Sequence, residues 1–567
     1  MSGGGFPHWF NFEDKWQFRN DTSIQTGSHA WKFGADYSYL PKHGGIYGPG
    51  SPGSIAFFHD PSIILTNSNG LYPQGLQTPG IVRSITLTGE PIGNYDSYGS
   101  WTFSSYLQDD WRIGSRLTLN LGLRYDVYEH MNQGDNRYAE NRTYKVLRDI
   151  GHPMGGLPQT DTDNFGPRAG MAWDMRGDGT RVMRGSFGRY FTLGIKNSYY
   201  LAAIQDKPTL FLTQNRTNSA IGQGALAGYI YGVTPLPPVP KDITEFPRGG
   251  NNVGAWYDPN LQDFQTDQFA IGYQHVLAQN TVLALDYSRY NGTKGWRTLN
   301  INPLLDHDGN AATPRIRPLA ADLLRVYNDS ALMGPVNIIA SVNDGTYDEM
   351  VVHFERRFSQ ATAIRADYVL AYARGMGGVT DGAARQGSAA PQIPSVTGGD
   401  LYSPWEYGPT AFDERHRVTL SGVLPIWWGF EVSPTLVAAS ARPYTQSRVP
   451  NPSGDGNLRV LCPADSDADI GFGAGQIPCE VNNARGLPLF NLNARVTKNF
   501  VLSNTQRIGI FVELYNLTNR PPFGNQLGGN QQAPTTYNQP VGYLGGAGAV
   551  STLPNSFQAQ FGARLSF

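Results

Sequence analysis

The sequence predicts an all-β chain, an antiparallel transmembrane β-barrel with long extracellular loops. Three observations carry that expectation: segments that alternate apolar and polar residues with period two, very short turns that join them in pairs, and long Gly/Pro/Asn-rich stretches between the pairs. The C-terminal FQAQFGARLSF shows the first of these. Phe557, Ala559, Phe561, Ala563, Leu565 and Phe567 fall on one face, and Gln558, Gln560, Gly562, Arg564 and Ser566 on the other. A chain that stops on such a strand, with an aromatic last residue, has the form of a barrel's closing strand.

Composition agrees. Charged residues make up 16% of the chain, below the roughly 25% of soluble domains, while aromatics reach 12%. No stretch approaches the roughly 18 consecutive apolar residues that a membrane helix needs. Alternation dilutes the apolar residues of a transmembrane strand, so low charge without helical spans fits a barrel. Composition alone also allows a large soluble all-β protein. A net charge of −2 without basic runs excludes a nucleic-acid footprint.

The clearest strand is RLTLNLGLRYDVY, where Leu117, Leu119, Leu121, Leu123, Tyr125 and Val127 alternate with Thr118, Asn120, Gly122, Arg124, Asp126 and Tyr128. Ile508, Ile510, Val512 and Leu514 alternate in the same way with Gly509, Phe511, Glu513 and Tyr515. In a sandwich the polar face meets solvent, and in a barrel it lines the lumen. Alternation does not separate the two, but loop lengths do. Turns are predicted at Gly27-Ser28, Gly114-Ser115, Gly177-Asp178-Gly179, Ala278 to Asn280, Ser359 to Ala361, Pro425 to Trp428 and Ser503 to Thr505. Between the pairs lie the segments 41–97, 131–163, 193–262, 293–345, 377–411, 442–487 and 520–555. Structureless loops this long are rare in compact soluble domains, whereas outer-membrane barrels carry short periplasmic turns and long outer loops.

The pairs and the terminal strand make about fifteen strands, and single-chain bacterial barrels close with even numbers. With the C-terminus on the periplasmic side, the first strand (about 12–26) runs down into Gly27-Ser28, so an odd number of strands is expected before it. About seven more would complete a barrel of about 22. The chain is therefore expected to be the C-terminal part of such a barrel. MSGGGFPHWFNFEDKW has neither the basic nor the apolar region of an export leader, so the leader is expected to lie upstream or to have been removed.

Several hairpins resemble the TonB-dependent transporter family, in its Oar-like branch. GSHAWKFGADYSY (27–39), SSYLQDDWRIGSRLTLNLGLRYD (104–126), FGPRAGMAWD (165–174) with GDGTRVMRGSFGRYF (177–191), FDERHRVTLSG (412–422) and FVELYNLTNRPPFG (511–524) carry the likeness in order. The resemblance implies that 1–567 is one transporter-like β-barrel domain of a Gram-negative-type outer membrane, lacking the plug and the N-terminal strands. It further implies outer-membrane lipid and an extracellular ligand as partners, capture by the loops, passage through the lumen, and coupling to TonB only through an upstream plug. No enzymatic activity, cofactor or metal is expected. The alternatives are a plugless outer-membrane pore or adhesin and, more distantly, a secreted all-β carbohydrate-binding protein. Irregular pair spacing counts against the repeats of a propeller.

Cys462 and Cys479 are the two cysteines, both in the 442–487 loop, and outside the cytoplasm they are expected to pair, adding about 3 kcal/mol by restricting the unfolded chain. Asp306 to Asn310, and Asp465, Asp467 and Asp469, have alternate oxygen ligands but no bidentate Glu at the twelfth position, so they read as solvated turns. Pro235 to Pro240 stiffens its loop as polyproline II. Asp413-Glu414-Arg415-His416-Arg417 opens a strand and reads as interfacial or lumenal ion pairing rather than as an acid–base site. Asn516-Leu517-Thr518 sits at a strand end, against a glycosylated loop. Trp101, Trp111, Tyr128, Trp173, Trp296, Trp427 and Trp428 are expected in aromatic belts at headgroup level. Nucleophile-elbow, zincin and phosphate-loop motifs are absent from the sequence.

Overall fold

The computed structural model describes residues 9–47, 54–87, 100–129, 141–192, 214–236, 254–302, 316–359, 362–376, 390–391, 407–447, 461–463, 476–503, 505–525, 527–544, 550–551 and 556–567. Its main feature is an 18-stranded sheet. Three members, Gly254–Tyr257, Ala390–Pro391 and Tyr407–Pro409, are short, which leaves fifteen long strands. These are β1 (Trp9–Thr26), β2 (His29–Tyr47), β3 (Ser100–Ile113), β4 (Leu117–Tyr128), β5 (Phe165–Asp174), β6 (Arg181–Thr192), β7 (Phe264–Ala278) and β8 (Thr281–Asn300). The series continues with β9 (Val336–Ser359), β10 (Thr362–Met376), β11 (His416–Pro425), β12 (Phe430–Ala439), β13 (Leu489–Val501), β14 (Arg507–Tyr515) and β15 (Gln558–Ser566).

Each long strand pairs antiparallel with the next in sequence, an up-and-down meander whose seven tight turns all fall at one end. Turn chemistry explains the sharp reversals. Gly114, for example, holds φ at 64°, a left-handed value that side chains with a Cβ disfavour. With an odd number of strands, β1 and β15 run in the same sense. Among the described residues, β1 pairs only with β2, and β15 only with β14.

Period two places the apolar face outward. Leu107 on β3 is 51% exposed and Leu121 on β4 is 46% exposed, although both are large and apolar, because this face is built to meet acyl chains rather than a protein core. Charged pairs bracket it. At the loop end, Arg189 donates from Nε to Asp267 at 2.7 Å. At the turn end, the His29 ring lies 2.7 Å from the Asp109 carboxylate and stacks on Trp31 and Trp111. Between Asp267 and His275 the outward residues of β7 are Phe269, Ile271 and Tyr273, an apolar height of about 20 Å for tilted strands.

Aromatic belts form in part as expected. Trp427 and Trp428, 77% and 85% exposed, crown the β11–β12 turn, and Trp173 faces outward near the β5–β6 turn. Two expectations are corrected. Tyr128 shares the lumenal face of β4 with Arg124 and Asp126. Trp296 is buried, because β8 and β9 extend as paired strands into both ends of the 293–345 segment, over 293–300 and 336–345.

Other long loops also carry structure of their own. Ser54–Phe57, Val82–Leu87, Gln214–Ala220 and Gln223–Gly224 form a small sheet. It packs with helix α1 (Pro61–Thr66) around Ile64, Tyr72, Ile81, Ile85 and Leu226. Asn218 pins this unit: its amide donates to Gly80 and Val82 carbonyls and accepts the Leu226 N–H. A larger cap stands on β8 and β9, where Gly254–Tyr257 runs parallel to Val336–Ile339. Helices α2 (Arg142–Asp149) and α3 (Ala320–Tyr327) pack Leu147 and Leu323 against Trp256, Tyr257, Met333 and Ile338. Asn141 caps α2 by accepting the Tyr144 N–H at 2.8 Å, and the Tyr327 hydroxyl reaches Asp149 at 2.7 Å to join the two helices.

Candidate functional site

The loop end holds the ordered polar machinery of the chain, and β10 to β14 organise most of it. Asp413 is buried beside the end of β10. One carboxylate oxygen accepts the Ala373 N–H at 2.9 Å, and the other takes Arg415 at 2.8 Å and Arg485 at 2.5 Å. Burial pushes the acid up, but the Ala373 amide and the two guanidiniums outweigh it, so Asp413 is held below the usual carboxylate range. Glu414 collects Arg417 at 2.8 Å and Arg442 at 2.6 Å. The segments around 413, 442 and 485 are thereby bound into one rim.

Amides and hydroxyls extend that rim. Asn525 donates to Ala411 and Pro443 carbonyls, and Asn482 donates to the Pro409 carbonyl at 2.7 Å. Gln446 reaches the Tyr537 hydroxyl at 2.6 Å, and Tyr444 bonds Asn538. Cys462 and Cys479 are joined in the structure, with Cα atoms 5.0 Å apart, and bridge the short hairpin of Leu461–Pro463 and Gln476–Pro478. Next to it, Glu480 pairs with Arg374 at 3.0 Å, which ties the disulfide loop to the end of β10.

A second polar centre lies under the cap. Asp161 accepts the buried Asp263 N–H at 2.9 Å, and Asp263 accepts the Asn164 amide at 2.9 Å. The neighbouring Asp161 carboxyl, followed by burial, pushes Asp163 up, because two carboxylates at close range resist full ionisation. Among the described residues, no group of three or more His, Cys, Asp or Glu is placed to hold a metal ion.

The inner wall is largely polar. Lys32 meets Asp110 at 2.7 Å, and Asp110 also accepts from Gln108 and Asn120. Ser104 and Arg124 hold Asp126 on the next strands. His353 lies 2.6 Å from Asp367, which Arg365 also engages at 3.0 Å. Internal pairing of this density makes a hydrophilic lining without buried lone charges.

The sequence cluster 413–417 thus forms ion pairs at the loop end, with His416 reaching outward to the Tyr368 hydroxyl at 2.8 Å. Asn516 is buried at its strand end, where its amide holds both the carbonyl and the N–H of Arg520. Asp306 to Asn310 and the Asp465, Asp467 and Asp469 series lie outside the described residues, as do Pro237 to Pro240. Sequence reasoning missed Asp161, Asp163 and Asp263. The D-T-D-N run at 161–164 was a local signal, but its meeting with Asp263 is a tertiary event.

A family model described as an outer membrane beta barrel domain matches residues 1–546. The chain belongs to that family. Among curated proteins, this outer-membrane barrel is similar to the TonB-dependent transporter Oar of Myxococcus xanthus, at 24% identity over 200 residues, 33% of this chain and 17% of that protein. Its fold is similar to the outer membrane transporter YddB of Escherichia coli, with a TM-score of 0.51 and 12% identity, over 98% of this chain and 54% of the other. A ferric enterobactin receptor mutant of Pseudomonas aeruginosa aligns at a TM-score of 0.47 and 9% identity, over 98% of this chain and 54% of that one. The match covers about half the length of the two solved structures and 17% of Oar. Its fold is of the TonB-dependent transporter type, it sits in the outer membrane of a Gram-negative-type cell, and its relatives are transport barrels rather than enzymes.

Proposed function

We propose that this barrel is the wall and the ligand-binding rim of a TonB-dependent, Oar-like receptor. The observation that carries the reading is the division of labour along each strand. An apolar outer band is sized for a membrane, a hydrogen-bonded polar lumen lies behind it, and cored loop modules stand at one end only. The modules would capture a ligand outside, and the lumen would pass it inward. Because β1 and β15 run in the same sense, antiparallel closure needs an odd number of further strands, and a receptor of this kind needs a plug to contact TonB. Residues 1–567 would then be the later part of one barrel domain.

Planar bilayers test the reading. The whole receptor, reconstituted from its own outer membrane, is expected to show no steady conductance, because a plug fills the lumen. A constant open-pore current would instead make the protein a passive pore.

A further inference from the structure

The rim built by β11 to β15 differs chemically from the rest of the loop end. Between Arg520 and Arg564 the sequence contains no charged residue. Within the described part of that stretch, residues 527–540 fold over the 444–447 segment as a ledge. Its backbone groups are already used: Gln531 N–H donates to Ser447, Gly528 N–H to Gln539 and Asn538 N–H to Gly528. The layers pack so closely that a Cβ on Gly528 would overlap the Thr536 carbonyl. A ledge of this kind is preorganised, so a ligand need not order it.

What the ledge offers outward is neutral. Gln531, Gln532, Thr535 and Gln539 are exposed, and their side chains carry no partner among the described residues. The stacked rings of Phe523 and Tyr543, 5.2 Å apart, lie in the same segment. The charges beneath are engaged with one another: Arg485 and Arg415 with Asp413, Arg442 and Arg417 with Glu414, and Arg374 with Glu480. Arg520 is laid over the Phe490 ring at 5.4 Å. On the lumenal face below, Thr435, Asn491, Asn493, Gln558 and Gln560 surround a paired Arg495 and Glu513, and the buried Asn491 amide oxygen has no partner.

We infer that this ledge binds a neutral, hydroxyl-rich ligand, an uncharged oligosaccharide. Side-chain amides offer a donor and an acceptor side by side, which matches vicinal hydroxyls, and aromatic faces suit the apolar faces of sugar rings. A charged chelate would find five nearby guanidiniums already paired with carboxylates and Arg520 laid on the Phe490 ring. An extended peptide would require free backbone groups, and many of those in the ledge are already paired. The inference rests on the loop-capture role and specifies what the loops capture.

Equilibrium dialysis against outer-membrane vesicles that contain the whole protein tests it, with protein-free vesicles as the blank. The probes are maltohexaose, cellohexaose, hexagalacturonate and a neutral hexapeptide. The expected result is binding of a neutral hexasaccharide that shifts less than about twofold between low and high salt, since no ion pairs are formed. The pair Gln531→Ala and Gln532→Ala is expected to weaken it about tenfold, while trypsin protection of the barrel stays unchanged. Failure of both neutral hexasaccharides to bind overturns the inference. So does preference for hexagalacturonate or the peptide, or a double variant that binds as before. Quiet bilayers without sugar binding leave the transport reading standing and remove this one. Sugar binding with a steady current does the reverse.

Discussion

The Asp413 carboxylate takes the Arg485 guanidinium at 2.5 Å across a sequence separation of 72 residues, and the same guanidinium also donates to the Asp413 carbonyl. One buried acid thus joins the β10 end to the segment that enters β13. Removing the buried acid takes the charged acceptor from two part-exposed guanidiniums and the Ala373 N–H, at a cost of about 1–3 kcal/mol. Asp413→Asn is expected to loosen the 440–447 and 480–488 segments while the strands below stay assembled. Limited proteolysis in outer-membrane vesicles checks this, and an unchanged cleavage pattern would refute it.

The same residue predicts an acid response. Asp413 is held below its unfolded value, so its contribution to stability is fully present above that unfolded value and is lost as pH falls through the depressed one. Cleavage of the rim segments is therefore expected to rise only in strongly acidic buffer. In Asp413→Asn that acid-dependent rise should disappear, because the cleavage is already high at neutral pH.

Asp163 predicts the opposite sign. Its carboxyl is pushed up by Asp161, so ionisation at neutral pH works against the fold, and stability is gained as pH falls towards the raised value. Asp163→Asn removes one of two crowded charges and is expected to protect the cap against thermal proteolysis at neutral pH. Faster cleavage of the variant would contradict the account of two repelling carboxylates.

The orientation of β4 is testable by paired substitutions. Leu123 faces outward opposite Leu107, inside the apolar band, and Asn120 faces the lumen beside Asp110. Leu123→Arg is expected to cost about 2–4 kcal/mol, as arginine does on the lipid face near the bilayer midplane. Asn120→Arg should assemble normally. Heat-modifiable mobility on gels reads both, and equal behaviour would mean the faces are assigned wrongly.

For the Cys462–Cys479 pair, the expectation is a bridged loop that reduction releases without unfolding the strands, since the Glu480–Arg374 pair and the Asp413 junction still hold its base. Peptide mass mapping with and without reductant shows whether the bridge is present. Strand order should persist in circular dichroism after reduction.

Much of the architecture was legible in the chain itself. Alternation assigned Leu121 outward and Arg124 inward, and left-handed residues stand at five of the expected turns, at Gly27, Gly114, Gly177, Asn280 and Trp428, because period two and positive φ are local properties. The charge-free stretch after Arg520 and the acidic–basic run 413–417 were equally visible as composition. Local signals did not reveal that the 293–345 loop would carry strands upward, or that Trp296 would leave the aromatic belt for a core with Tyr257. Nor did they show Asp413 meeting Arg485, Asp161 meeting Asp263, or Gln446 meeting Tyr537. Those contacts join segments far apart in sequence, and their partners are set by where neighbouring strands end. The sequence by itself determined a membrane-spanning meander and its two faces, because lipid and water sort side chains residue by residue. Only the tertiary structure decided the rim, because loop contacts depend on the strand ends that bring distant segments together.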